Sequence, residues 1–202
     1  MDIPYCHGME ELPSTSAERA KVLKYLSSHP ADNEIVKTPL FVHLSHGLAY
    51  TVGSALGSVP PDLDTCLAAF LVPNKAGLTV GARAWSKHFH RSQAADATSA
   101  ERGRREMSAG WWGSPCGPVS IINEKAVALF WKVMSGASWR NLHWLPHQIL
   151  VYEIRVPDGY GMRWSQDQSA REGEEDVADR AWKFRGFVEP MMENGHEIGW
   201  RH

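Results

Sequence analysis

The sequence predicts an α+β fold: a small antiparallel sheet in the C-terminal third, packed on helices. Three observations predict it. Apolar and polar residues alternate through 148–156, 160–165 and 180–189, and a Pro157-Asp158-Gly159 turn joins the first two stretches. Apolar residues recur at helical spacing through 119–134. Finally, the 43% hydrophobic and 22% charged content of the 202 residues suits one ordinary globular domain over 1–202. A chain of that length buries roughly 70% of its unfolded surface, so it needs neither metal nor disulfide to fold.

Taken in order, residues 1–13 read as an irregular lead. Thr15 and Glu18 form a capping-box pattern, so a helix follows to about residue 28, burying Val22, Leu23 and Leu26 until His29-Pro30 stops it. Residues 35–44 (IVKTPLFVHL) read as extended, with Pro39 near an edge or bend. After a Gly-punctuated stretch and the Pro60-Pro61 break, 62–72 (DLDTCLAAFLV) reads as a short buried helix, with a strand as the alternative. Residues 92–110 hold almost no large apolar side chain and read as a mobile loop, followed by a rigid aromatic link, GWWGSPCGP. The helix at 119–134 buries Val119, Ile122, Ala126, Leu129, Phe130 and Val133, and Gly136 ends it. Residues 166–179 carry six acids and one Arg and read as a solvated loop.

Composition narrows the function. The net charge of −2 predicts no general nucleic-acid binding. The N-terminus has no basic and apolar signal segment, and no apolar run approaches a membrane span, so the chain is expected to be cytoplasmic and without a membrane partner. Cys6, Cys66 and Cys116 are an odd, widely spaced set, which fits a reducing compartment and no thiolate metal site. Nine Trp, eight of them from Trp111 onward, supply either a heavy aromatic core or an aromatic-walled pocket.

Candidate chemistry gathers around the sheet. Alternation puts Leu150, Tyr152, Ile154, Met162, Trp164, Phe184, Gly186 and Val188 on faces turned to the helix at 119–134. Glu153, Arg155, Arg163, Lys183, Arg185 and Glu189 fall on the other side. That face is either solvated surface with cross-strand ion pairs or the floor of an anion site, since the guanidinium fork suits carboxylate and phosphate. His143 and His147 in NLHWLPHQ precede the first strand; Pro146 disrupts the helix a metal-binding H-x-x-x-H pair would need, so no metal is expected and each imidazole is expected in a turn. In the tail, Glu193 and His196 stand at the spacing of a carboxylate orienting an imidazole. His88 and His90 in WSKHFHR, and Ser45-His46 after the 35–44 stretch, complete the inventory. No GxSxG, P-loop or GxGxxG occurs.

The blocks GARAWSKHFHRS, GWWGSPCGP, NLHWLPHQ, DGYGMRWS and FRGFVEPMMENGHEIGWRH resemble a chiefly fungal family of hypothetical proteins, over roughly residues 80–202. The resemblance implies no activity and no catalytic residue. From the residues themselves, the expectation is a small enzyme acting on an anionic small molecule, a carboxylate or phosphate, without a cofactor. Arg155, Arg163 and Arg185, with Trp144 and Trp164, would bind it; His143, His147 or His196 would move protons, oriented by Glu153 or Glu189. The alternatives are a non-catalytic ligand-binding or interaction module using the same face, and an acyl or aminoacyl transferase with Ser45 as nucleophile.

Overall fold

A computed structural model describes residues 3–28, 34–92, 110–169 and 180–191. Among the described residues, five α-helices precede or flank a four-stranded sheet, in the order α1 (Thr15–Ser28), α2 (Pro39–Ser45), α3 (Leu63–Leu71), α4 (Val80–His88), α5 (Val119–Gly136), β1 (Trp139–Leu145), β2 (Ile149–Arg155), β3 (Gly161–Asp167) and β4 (Lys183–Val188). The sheet is an antiparallel meander, β1-β2-β3-β4, in sequence order. The fold is therefore α+β, with the sheet at the C-terminal end.

One face of the sheet meets α3, α4 and α5 in a single apolar cluster. Leu142, Leu150, Tyr152, Ile154, Met162, Trp164, Phe184 and Phe187 face Phe70, Trp85, Ala126, Leu129, Phe130 and Val133. Phe70 sits at its centre, with ring contacts to Phe130, Phe184 and Phe187 at 4.8–6.3 Å. Gly81 lets α4 close on this ring: a Cβ there would stand 2.1 Å from Phe70 Cζ. The Pro-Asp-Gly reversal forms as expected, with Gly159 at φ 93° and Val156 N–H donating to Tyr160 O at 2.9 Å.

Several elements depart from the sequence reading. Residues 35–44 are not a strand but a 3₁₀ turn, Ile35–Lys37, and then α2; Thr38 Oγ1 accepts from Phe41 N at 3.3 Å and Pro39 occupies the first helical turn. A Thr-Pro cap outweighed the β-branched run, because Pro presets helical φ where no N–H is needed. In α1, Val22 is buried but Leu23 and Leu26 are exposed; the buried partners are Thr15 and Arg19, and Arg19 reaches Glu11 and Leu48 O. Thr15 Oγ1 donates to Tyr50 O at 3.5 Å, so it docks the helix on the 48–55 segment. NLHWLPHQ is mostly strand: β1 pairs with β2 through Trp139↔Arg155 to Leu145↔Ile149. The anticipated face of β4 also shifts. A bulge between the pairs Arg163↔Gly186 and Trp164↔Phe184 leaves Arg185 as the extra residue, so Phe187 turns to the core and Gly186 and Val188 turn away.

The expected loops fall largely outside the described residues, at 93–109 and 170–179. The second begins later than anticipated: Gln166 and Asp167 belong to β3, and Arg180 Nη1 donates to Asp167 O and Ser169 O across its ends. The tail with Glu193, His196, Trp200 and His202 also lies outside the described residues. Among the described residues no helix is long and apolar enough to cross a membrane.

Candidate active site

Among the described residues, the sheet face away from the helices is roofed over β1 and β2. Over β1 and β2, Tyr5 exchanges backbone and side-chain bonds with Ser138, His7 N donates to Pro157 O, and Cys6 and Ala49 pack on Trp139. Ser54 Oγ donates to Asn141 Oδ1 at 3.1 Å, and Asn141 Nδ2 donates to Thr51 Oγ1 at 3.1 Å. Over β3 and β4 the cations Arg163, Lys183 and Arg185 reach partly or wholly into solvent.

Glu153 organises the covered half. It is 3% exposed and accepts from Arg155 Nε at 2.5 Å and from Arg163 Nε on its other oxygen. Burial alone would push its carboxyl up, but the Arg155 and Arg163 guanidinium groups win and hold it below the ordinary glutamate range. Arg155, 1% exposed, also donates to Gly159 O at 2.5 Å and Glu189 O at 2.8 Å. It is a clamp that ties β2 to the hairpin turn and to the end of β4, rather than a group offered to a ligand. Arg163 lies at the border, its side chain 25% exposed, one edge on Glu153.

At the sheet edge the end of α4 meets β4. Thr79 caps α4 by accepting from Ala82 N at 3.1 Å, and the buried Gly81, Ala82 and Trp85 fix its rotation. One turn beyond Trp85, His88 comes to face Glu189, Nδ1 to Oε1, at 3.2 Å. Arg91 Nη1 lies 3.8 Å from the other carboxylate oxygen, and Glu189 itself is 7% exposed. His88, Arg91, Arg163, Arg185, Gly186 and Glu189 line a cavity of about 280 Å³. Gly186 at φ 139° keeps its floor free of a side chain. An imidazole oriented by a buried carboxylate, beside guanidinium groups, can transfer a proton next to a bound phosphate.

The structure sorts the expected site residues into three groups. Glu153 binds Arg155 and Arg163, and Arg163, Arg185 and Glu189 line one cavity, while Arg155 serves inside the fold. His143 shares their face from β1; burial holds its imidazole below the ordinary range, so it is neutral at physiological pH. The others stand apart. His147 is exposed at φ 65° in the turn between β1 and β2. Trp144 is 44% exposed and pairs with Leu150, on the opposite side of the sheet from His143. Trp164 is fully buried, with Nε1 donating to Cys66 O at 3.0 Å, because period-two alternation puts it among the core rings. Ser45 is on a helix rather than after a strand, and its hydroxyl donates to Val42 O at 2.8 Å. The sequence offers His88 no partner: Glu189 is 101 residues away, and no spacing rule joins them. The only available signal was a His- and cation-rich helix end. Among the described residues no group of three or more His, Cys, Asp or Glu is placed to hold a metal ion.

A small antiparallel sheet backed by helices carries, at its β4 edge, a cavity lined by His88, Glu189 and three Arg side chains. The chain belongs to the family of CdiA C-terminal tRNase toxin domains, whose model matches residues 71–173. That stretch contains His88, Arg91, His143, Glu153 and Arg163. No curated protein and no solved structure matches the chain. Family membership bears out an enzyme in the broad sense. It overturns the expectation of a small anionic molecule as partner and of no general nucleic-acid binding, since a tRNase acts on RNA. The physical reason for that error is averaging: a net charge of −2 over the chain conceals the cations gathered around one cavity.

Proposed function

We propose that this chain cleaves tRNA at the cavity between α4 and β4, by acid–base catalysis on a phosphodiester. The observation that carries the reading is the His88–Glu189 pair set among Arg91, Arg163 and Arg185. In the proposed step the 2′-oxygen attacks the adjacent phosphorus and the bond from phosphorus to the 5′-oxygen breaks. The 2′-hydroxyl proton leaves to a base and the departing oxygen takes a proton, giving a 2′,3′-cyclic phosphate and a 5′-hydroxyl. Arg163 and Arg185 hold the phosphate and oppose the charge that builds on its oxygens. Glu189 accepts from His88 Nδ1–H, which leaves Nε2 as the proton-transfer atom. His143, neutral and on the same sheet face near Arg163 and Arg185, is the second group of the right chemistry.

The test is incubation with total tRNA, with fragments resolved on a denaturing gel and their ends typed by phosphatase and kinase treatment. Wild type is expected to yield discrete fragments with cyclic-phosphate ends. His88→Ala is expected to lose about 10²–10⁴-fold in rate while remaining folded by circular dichroism. Intact tRNA after exposure to folded wild type, or full activity in both His88→Ala and His143→Ala, would overturn the reading.

A further inference from the structure

Charge is segregated along this chain. No Asp or Glu occurs from Thr65 to Ala95, while Lys75, Arg83, Lys87 and Arg91 do. Helix α4 lies in this stretch, and its wheel is sharply divided: Gly81, Ala82 and Trp85 are buried, while Arg83, Lys87 and, just past its end, Arg91 are exposed. Arg83 and Lys87 stand four residues apart on α4, so they form one stripe with a step of about 6 Å along its axis, and Arg91 follows in the 3₁₀ turn Phe89–Ser92. Neither Arg83 nor Lys87 forms an ion pair among the described residues. Helix stability does not account for the stripe. Like charges four apart repel, and Arg83 sits in the first turn, where the helix dipole disfavours a cation. The stripe runs toward Arg91, which lies on the rim of the cavity that holds His88.

We infer that the exposed face of α4 is an RNA-docking ridge, on which Arg83 and Lys87 bind successive phosphates of one strand and lead it to the cavity. The inference rests on the proposed tRNA cleavage but concerns residues outside the reacting site. RNA fits the ridge better than an acidic protein does. Its charges are evenly spaced along a strand, and binding releases counterions from each phosphate neutralised.

The experiment compares tRNA binding by fluorescence anisotropy across a salt series, in the His88→Ala background to keep the RNA whole, with and without Arg83→Ala/Lys87→Ala. Steady-state cleavage is measured in parallel in the wild-type background. The double variant is expected to weaken binding about tenfold or more at 0.15 M salt and to reduce the slope of log K against log salt by about 1.4–1.8. KM should rise, kcat should stay within twofold, and the melting temperature should not fall. Removing the cations of two distant ion pairs, Lys21→Ala/Lys37→Ala, should change none of these. If wild type cleaves tRNA and the ridge variant matches it in affinity and slope, the ridge inference falls and the cleavage reading stands. If tRNA is bound through the ridge but not cut, the cleavage reading falls and the ridge stands. No binding and no cleavage overturns both. An equal loss of affinity for polyglutamate would mark a generic anion patch and overturn the assignment to RNA.

Discussion

Glu153→Gln removes one charge and little volume from the most consequential polar cluster in the fold. The carboxylate is 3% exposed and holds Arg155, which is 1% exposed, and Arg163. Glutamine keeps one acceptor but turns an amide donor toward donors, and it leaves the Arg155 guanidinium buried without a counter-charge. Breaking a buried pair in this way costs about 3–5 kcal/mol. A domain of this size loses about 2–4 °C of melting temperature per kcal/mol, so Tm should fall by about 6–20 °C. A pH series supplies an independent readout. The Glu153 carboxyl is held below its unfolded value, so its contribution is complete above about pH 4.3 and is lost as pH falls through the lower, folded value. Urea midpoints should therefore decline more steeply below that pH in wild type than in the variant. Thermal melts and urea titrations from pH 3 to pH 7 make the measurement. A variant that melts within about 2 °C of wild type, with the same acid slope, would show that Glu153 is not the electrostatic anchor described above.

Further outcomes follow from the packing and the thiols. Gly81→Ala drives a Cβ to 2.1 Å from Phe70 Cζ, so it should cost at least about 1–3 kcal/mol of stability in chemical denaturation. Trp164→Ala should cost about 3–5 kcal/mol; Trp144→Ala, at an exposed site, should leave the urea midpoint nearly unchanged. Arg163→Ala leaves Glu153 one guanidinium, so about 1.5–3 kcal/mol should be lost in urea titration alongside tRNA cleavage. The Cys66 thiol is buried and pushed up to about 12 by that burial, Cys6 is buried and shifted the same way, and Cys116 is exposed. Iodoacetamide at pH 8 should add one label to native protein and three to unfolded protein, counted by intact mass; rapid triple labelling of the native state would contradict the packing.

The polar cluster also shows where sequence reading reached its limit. Alternation along β2 and β3 put Glu153, Arg155 and Arg163 on one face, and that holds. It carried no information on depth, so Arg155 looked like a ligand group when it is a clamp. Depth depends on what covers the face, and the cover comes from Tyr5–Met9 and the 48–55 segment, both remote in sequence. The register of β4 was illegible for a related reason. A period-two pattern is only as good as the ladder that continues it, and the bulge at Arg185 resets it by one residue.

By itself, the sequence determined the α+β class, α5 and its buried Ala126, Leu129, Phe130 and Val133 (Val119, expected with them, is exposed), the Pro-Asp-Gly hairpin and the three later strands, because each rests on local periodicity or turn chemistry within a few residues. It also singled out Arg163, Arg185 and Glu189. Only the tertiary structure decided what those residues serve. The rotation of α4, set by Gly81 against Phe70, brings His88 to Glu189 across 101 residues and opens a cavity between them. Such long-range pairing is fixed by how elements pack, and packing leaves no period in the chain to read.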